Sequence, residues 1–132
     1  MRPLLHDVVE IYATCSAFAA LSTQGHVVSW GAWYGGGDSS GVAQELHGVR
    51  ELCGAACAFA ALRRDGHVVT WGMPRGSGDS SEVQTELYDV AKLYATDYAF
   101  AALREDGKVI AWGDPEHGGR APQEPKREGK VV

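Results

Sequence analysis

The sequence predicts an all-β chain with short helical turns, built from three tandem repeats of 41 residues. The motif Ala-Phe-Ala-Ala-Leu occurs at 17–21, 58–62 and 99–103, which gives offsets of 58 − 17 = 41 and 99 − 58 = 41. A Trp-Gly pair follows each motif at the same distance, and no insertion or deletion interrupts the spacing. A repeat of this length is one supersecondary unit, and such units bury their apolar sides by stacking on their neighbours.

Each repeat contains three predicted β-strands. The second and third strands form a hairpin, because two short apolar runs flank a turn that ends in glycine, and Asp-Gly is a strong hairpin signal. In the second repeat these runs are 59–62 and 68–71, and the turn ends at Gly66. The hairpin strands are almost continuously apolar, which is typical of a sheet covered on both faces. A shorter strand precedes each hairpin, at 10–13, 51–54 and 92–95.

One phenylalanine and one tryptophan recur at fixed positions in every repeat. Repeats build a shared core with one aromatic residue of each kind per unit. We therefore expect packing rather than carbohydrate stacking for the structural core residues Phe18, Phe59, Phe100, Trp30, Trp71 and Trp112.

The connection between repeats carries the sequence Gly-Asp-Ser-Ser at 37–40 and again at 78–81. Val42, Leu46 and Val49 follow it at i, i+4 and i+7, which predicts about two helical turns. Asp and Ser at such a place are typical of helix caps and turn hydrogen bonds. A serine nucleophile would need a histidine base and a pair of oxyanion donors, and the local spacing supplies neither. We therefore predict no catalytic residues and no enzyme.

Composition and charge exclude several functional classes. The 132 residues carry 12 Lys and Arg against 17 Asp and Glu, a formal net charge of −5. Nucleic-acid and anionic-membrane surfaces require clustered positive charge, so we expect neither partner. The chain also holds no apolar run of the roughly 18 residues that a membrane-spanning helix needs.

The three cysteines, Cys15, Cys53 and Cys57, are an odd number without a disulfide framework. This favours a reducing intracellular setting, and we expect the cytoplasm. The N-terminus becomes acidic too early for a secretory signal. Cys53 and Cys57 with His47 fall short of the four ligands of a zinc site, so we predict no metal and no cofactor.

The stretch 58–72, Ala-Phe-Ala-Ala-Leu-Arg-Arg-Asp-Gly-His-Val-Val-Thr-Trp-Gly, resembles the signature core of the regulator-of-chromosome-condensation repeat. In that family an apolar strand, a Leu-x-x-Asp-Gly turn and a strand ending in Trp-Gly form part of a β-propeller blade. The 41-residue unit is similar to a shortened variant of that repeat. The resemblance implies one domain of propeller-blade-like repeats at 4–119 (about 8–48, 49–89 and 90–119). The residues 120–132 are rich in proline and charge, which predicts a flexible tail or linker.

The resemblance also implies a platform for protein–protein interaction. The family's nucleotide exchange on the small GTPase Ran depends on loop and wedge insertions that this sequence lacks, so that activity is not expected here.

Three blades cannot close a propeller, because rings have four to eight. The chain is therefore expected to belong to a longer array or to complete a ring as a homo-oligomer. The alternative is a β-trefoil, in which three repeats of about this length surround a threefold axis, with a glycan-binding, lectin-like function. A trefoil needs four strands in each unit, and the helical character of 38–49 argues against the fourth.

The loops that vary against the constant frame are the candidates for recognition. Loops carry binding while the sheets supply rigidity, and Trp, Tyr and Arg dominate interface hot spots. We expect a non-catalytic scaffold that binds a protein partner through the interaction-loop residues Trp33, Tyr34, Arg75, Tyr98 and His117. The alternative for Trp33 and Tyr34 is that they only cover the end of the first repeat.

Overall fold

The computed structural model describes residues 7–73, 79–114 and 118. In this part of the chain nine β-strands form three sheets, and each strand is antiparallel to its neighbour. The order of the strands in each sheet follows the order in the chain. Sheet 1 contains β1 (Val8–Ala13), β2 (Ala17–Ser22) and β3 (Val27–Gly31); sheet 2 contains β4 (Val49–Gly54), β5 (Ala58–Arg63) and β6 (Val68–Gly72); sheet 3 contains β7 (Val90–Ala95), β8 (Ala99–Arg104) and β9 (Val109–Gly113).

The hairpins lie where the sequence predicts them. In sheet 2, Phe59 lies opposite Trp71, and Gly66 adopts a φ of +88° that residues with a side chain rarely adopt. The same register recurs in sheets 1 and 3. The first strand of each sheet begins two residues earlier than predicted, because the pairing continues across a β-bulge to Val8, Val49 and Val90.

The apolar core lies between the sheets. Ala19 and Leu21 of sheet 1 pack with Phe59 and Trp71 of sheet 2, and a second cluster fills the space between sheets 2 and 3. Sheet 2 is therefore covered on both faces, which accounts for its almost continuously apolar strands. The predicted stack of all-β repeats is confirmed.

The trefoil alternative is wrong. Each described strand pairs only within its own three-stranded sheet, and the described residues close no barrel. The glycan-binding alternative rested on a trefoil and loses its structural support.

Short 3₁₀ helices form the connections, where the sequence predicted two helical turns. They span Trp33–Gly35, Ser40–Glu45 and Gln84–Glu86. The predicted helix is too long, because Leu46 already follows the 3₁₀ helix and Val49 is the first residue of β4. Both side chains enter the same apolar cluster, one from a connection and one from a strand, and this produces the helix-like spacing.

Part of the sequence prediction lies outside the described residues. The predicted tail at 120–132 is one such part, and both limits of the predicted domain also lie there. The domain limits of 4–119 therefore stay a prediction. Within the described ranges, no helix has the length and apolar content needed to cross a membrane.

Candidate interaction surface

Two sets of loops meet at one end of the three sheets, which we call the loop edge. It consists of the connections before β2, β5 and β8 (14–16, 55–57 and 96–98) and the residues that follow β3, β6 and β9. Because one backbone hydrogen bond recurs in each sheet, the two sets lie side by side. In sheet 1 the N–H of Ala32 donates to the carbonyl of Ser16 at 3.0 Å. The equivalent bonds run from Met73 N–H to Cys57 C=O in sheet 2 (3.0 Å) and from Asp114 N–H to Tyr98 C=O in sheet 3 (2.8 Å).

Backbone hydrogen bonds also join the loop edge from one sheet to the next. The N–H of Cys15 donates to the carbonyl of Ala56 at 2.9 Å, and the N–H of Ala56 donates to the carbonyl of Asp97 at 2.6 Å. The connections of all three sheets therefore form one continuous surface.

Trp33 and Tyr34 are the most prominent side chains of the loop edge. Their backbone is fixed by the N–H of Gly36, which donates to the carbonyl of Trp33 at 3.1 Å, and by the Thr14 hydroxyl, which donates to the carbonyl of Gly35 at 2.6 Å. Trp33 is 66% exposed and Tyr34 is 49% exposed, and their rings meet edge to face at 5.6 Å. Trp33 and Tyr34 therefore present two exposed aromatic rings at the loop edge.

Tyr98 also lies on the loop edge, in the connection before β8, and is exposed. Its N–H donates to the Thr96 hydroxyl at 3.4 Å. The structure therefore places Trp33, Tyr34 and Tyr98 on the same edge, at sheets 1 and 3. Arg75 and His117 lie outside the described residues and stay predictions.

The six repeated aromatic residues form three ring pairs of the same geometry. The centroids are 5.6 Å apart for Phe18 and Trp30, 5.4 Å for Phe59 and Trp71, and 5.5 Å for Phe100 and Trp112. The second and third pairs are buried between sheets. The first pair is half exposed, with Phe18 at 46%, because it lies on the side of sheet 1 that no described residue covers.

The Asp-Ser-Ser stretch forms turns. Asp38 Oδ1 accepts the N–H of Ser40 at 3.0 Å, and the hydrogen bonds from Ser40 keep the pKa of Asp38 below its usual value. The Ser29 hydroxyl donates to Ser39 Oγ at 2.9 Å and ties the turn to β3. The predicted turn hydrogen bonds are present, whereas the predicted cap is wrong, because no side chain caps the 3₁₀ helix Ser40–Glu45.

Sequence reasoning missed a contact between two of the cysteines. Cys15 Sγ of sheet 1 lies 4.0 Å from Cys57 Sγ of sheet 2 on the loop edge. Burial, followed by the hydrogen bond to Cys15, raises the pKa of the Cys57 thiol. The two residues occupy different positions of the repeat, so the repeat alignment gave no signal for their contact. In the described part of the chain, no three His, Cys, Asp or Glu side chains converge as metal ligands would.

The sequence matches no protein-family model and no curated protein. Solved structures do match the fold. Human WBSCR16 aligns with a TM-score of 0.61 at 19% identity, over 86% of this chain and 34% of that chain. Prp20p from Saccharomyces cerevisiae aligns at 0.60 and 20%, over 80% and 30%. The ectodomain of the receptor kinase CR4 from Physcomitrella patens aligns at 0.57 and 18%, over 84% and 32%.

These similarities define the class of fold. The chain is an array of three β-propeller blades, one for each sheet, so sheets 1 to 3 are blades 1 to 3. One of the matching proteins, Prp20, is yeast RCC1, the regulator of chromosome condensation of that organism. The repeat of this chain is therefore similar in fold to the repeat of that protein. The resemblance seen in the sequence is confirmed at the level of the fold. The chain spans about a third of the length of these structures.

Proposed function

We propose that this chain is a non-catalytic interaction module that binds a protein partner through its loop edge. The observation that carries the proposal is the exposed pair of Trp33 and Tyr34 on a hydrogen-bonded backbone. Aromatic side chains on a fixed backbone lose little conformational entropy on binding, and Trp and Tyr dominate hot spots. Tyr98 belongs to the same surface. Arg75 and His117, which follow β6 and β9 in the sequence, are further candidates for partner binding.

Proteins of similar fold support a protein as the partner. Prp20p has binding properties toward Gsp1p and histones, and the same yeast protein, RCC1 (Prp20), was solved with Kap60 bound to it. The net charge of −5 favours a protein over a nucleic acid. We place the module inside the cell, in the cytoplasm, because its three cysteines are free. Assembly with a second copy or within a longer array is a separate proposal, since it uses the faces of the blades.

Photo-crosslinking tests the loop edge directly. Tyr34 is replaced by p-benzoylphenylalanine, and Gln24, an exposed residue of the hairpin turn at the other end of blade 1, is replaced in a matched control. In a cytosolic lysate, a specific partner should crosslink at position 34 and not at position 24.

Affinity for the purified crosslinked protein then decides the role of the aromatic pair. We expect Trp33→Ala to weaken binding at least about 10-fold, and Gln24→Ala to leave it unchanged. Both variants should keep the wild-type melting temperature, because both side chains are exposed. Equal affinity of the Trp33→Ala variant and the wild type would contradict the proposal.

A further inference from the structure

The two ends of the blade array expose opposite halves of one repeated interface. We call the side of a blade that faces the preceding blade its leading face, and the opposite side its trailing face. The leading face of blade 2 packs into the core cluster shared with blade 1 through Leu52, Phe59, Ala61, Val69 and Trp71. The leading face of blade 3 packs against blade 2 through the corresponding residues.

The leading face of blade 1 carries the same kinds of side chain, and no blade among the described residues packs against it. It consists of Ile11, Phe18, Ala20, Val28 and Trp30, which occupy the same repeat positions. Ile11 is 58% exposed, whereas Leu52 and Leu93 at the corresponding positions are each 5% exposed. An apolar patch of this kind is typical of an interaction site.

No blade among the described residues packs against the trailing face of blade 3 either. It includes Leu103 and Val109, and Val109 is 43% exposed whereas Val68 at the corresponding position is 1% exposed. A Cβ added at Gly25 or Gly66 would touch the backbone of the next blade, but one added at Gly107 would meet nothing within 4 Å. The next blade therefore packs beside Gly25 and beside Gly66, whereas no described residue packs beside Gly107.

Two kinds of hydrogen bond recur in both junctions inside the chain, and a third kind is described in the junction between blades 1 and 2. The first strand of a blade donates to the hairpin turn of the preceding blade, from Val49 N–H to Gly25 C=O and from Val90 N–H to Gly66 C=O, each at 3.0 Å. The loop-edge bonds described above run from Cys15 to Ala56 and from Ala56 to Asp97. In the junction between blades 1 and 2, Trp71 Nε1–H also donates to the carbonyl of Gly36 at 2.9 Å.

The 41-residue spacing places the remaining halves of these bonds at opposite ends of the array. The leading end of blade 1 carries the N–H of Val8, the carbonyl of Cys15 and the indole N–H of Trp30. The trailing end of blade 3 carries their complements, which are the carbonyl of Gly107, the N–H of Asp97 and the carbonyl of Gly118. Gly118 has a φ of +102°, close to the +97° of Gly36 that presents the acceptor to Trp71.

We propose that a second copy of this chain occupies both open faces. The leading face of blade 1 in each copy packs against the trailing face of blade 3 in the other copy, and the two copies close a ring of six blades. Six lies within the four to eight blades that propellers have. In this ring each contact between copies is head-to-tail and repeats the junction that joins blades 1 and 2 and blades 2 and 3 within the chain. Two such contacts cover the leading and trailing faces of both copies.

Sedimentation equilibrium over a dilution series tests the assembly. The wild-type chain should show a reversible equilibrium between 14.1 kDa and twice that mass. Ile11→Glu and Val109→Glu each place a charge at a position that is exposed in the monomer and buried in the ring. Each change should weaken the dimer at least about 100-fold, because it occurs at both junctions, and should leave the melting temperature of the dilute monomer nearly unchanged.

Mixing the two variants distinguishes head-to-tail contact from face-to-face contact. A mixed pair keeps one unaltered junction, between the leading face of the Val109→Glu chain and the trailing face of the Ile11→Glu chain. Dimer should therefore reappear in the mixture, although each variant alone is monomeric. In the wild-type dimer, the indole N–H of Trp30 should become protected from hydrogen exchange through its bond to Gly118.

The remaining outcomes overturn the proposal. A wild-type chain that stays monomeric at high concentration, a dimer that resists both substitutions, or a mixture without recovery excludes the head-to-tail contact. Open-ended or larger assemblies exclude the ring of two. Trp33→Ala should leave the dimer intact, so failure of the ring and failure of partner binding at the loop edge are seen separately.

Discussion

The indole N–H of Trp71 in blade 2 donates a 2.9 Å hydrogen bond to the carbonyl of Gly36, in the connection that leaves blade 1. Gly36 has a φ of +97°, and a Cβ at this residue would lie 2.8 Å from Cδ2 of Phe59. Only glycine lets the backbone come this close to the ring pair in this conformation. A residue outside the strands therefore controls how closely two blades approach.

Removal of this hydrogen bond should destabilise the chain. Trp71→Phe leaves the carbonyl of Gly36 without its donor, whereas Trp112→Phe removes an indole N–H that has no hydrogen-bond partner among the described residues. Both changes remove the same atoms from a buried ring pair. We expect Trp71→Phe to lower the free energy of unfolding in urea by about 1 kcal/mol more than Trp112→Phe does. Equal losses would mean that the bond contributes nothing.

Equivalent phenylalanines should differ in their contribution to stability. Phe59 is fully buried between blades 1 and 2, whereas Phe18 lies on the open leading face of blade 1. At a dilution where the chain is monomeric, Phe59→Ala should cost about 3–5 kcal/mol of unfolding free energy, and Phe18→Ala less than about half of that. The comparison is made in urea at one protein concentration. Similar costs would show that the face of blade 1 is covered in the monomer.

Stability should fall at alkaline pH because of Cys53. Burial, and next the charge of Glu51, raise the pKa of this thiol to about 11, from 9.0 in the absence of these effects. The folded state therefore favours the protonated thiol. The contribution to stability is complete below about pH 9, and it is lost as the pH rises through 11. Since the side chain is only partly buried, we expect a loss of about 1–2 kcal/mol.

Substitution of the thiol isolates this effect from the lysines and tyrosines that titrate in the same range. The unfolding free energy of Cys53→Ala, measured in urea between about pH 9 and 11, should fall less steeply than that of the wild type. Gln24→Ala, which removes an exposed side chain without a titrating group, should keep the wild-type slope. Parallel curves for Cys53→Ala and the wild type would contradict the assignment.

Oxidised glutathione should link Cys15 to Cys57. Their sulfur atoms are 4.0 Å apart and must approach by about 2 Å to reach the roughly 2.05 Å of a disulfide. The thiolate of one cysteine displaces glutathione to form a mixed disulfide, and the second thiol then displaces another glutathione. Because the pKa of Cys57 is raised, the reaction should accelerate as the pH increases above neutrality.

The bridge should join blades 1 and 2 and stabilise the chain by about 2 kcal/mol. Peptide mapping without reductant identifies the linked peptides, and thermal unfolding measures the gain. Cys57→Ser should abolish both effects, and Cys53→Ala should retain them. A bridge that involves Cys53 would show that the loop edge is arranged differently.

The strands and turns could be predicted from the sequence because they depend on neighbours along the chain. The glycine turn at Gly66 sets Phe59 opposite Trp71 without reference to the other blades. The pattern around Val42 was misleading, because apolar residues of a connection and of the following strand entered one cluster and imitated a helix. The exposure of Trp33 could not be predicted from residue type, since the same ring would be buried if the connection turned inward.

The sequence by itself determined the number of blades, their strands and the glycine turns, because the repeat encodes each unit locally. The tertiary structure decided which copy of a repeated residue is buried, since Phe18 and Phe59 share a motif and differ only in what lies beside them. It also brought Cys15 to Cys57 and Gly36 to Trp71, which occupy different repeat positions. Burial and contact between blades depend on the surface packed against each face, and the pattern within one repeat carries no information about that surface.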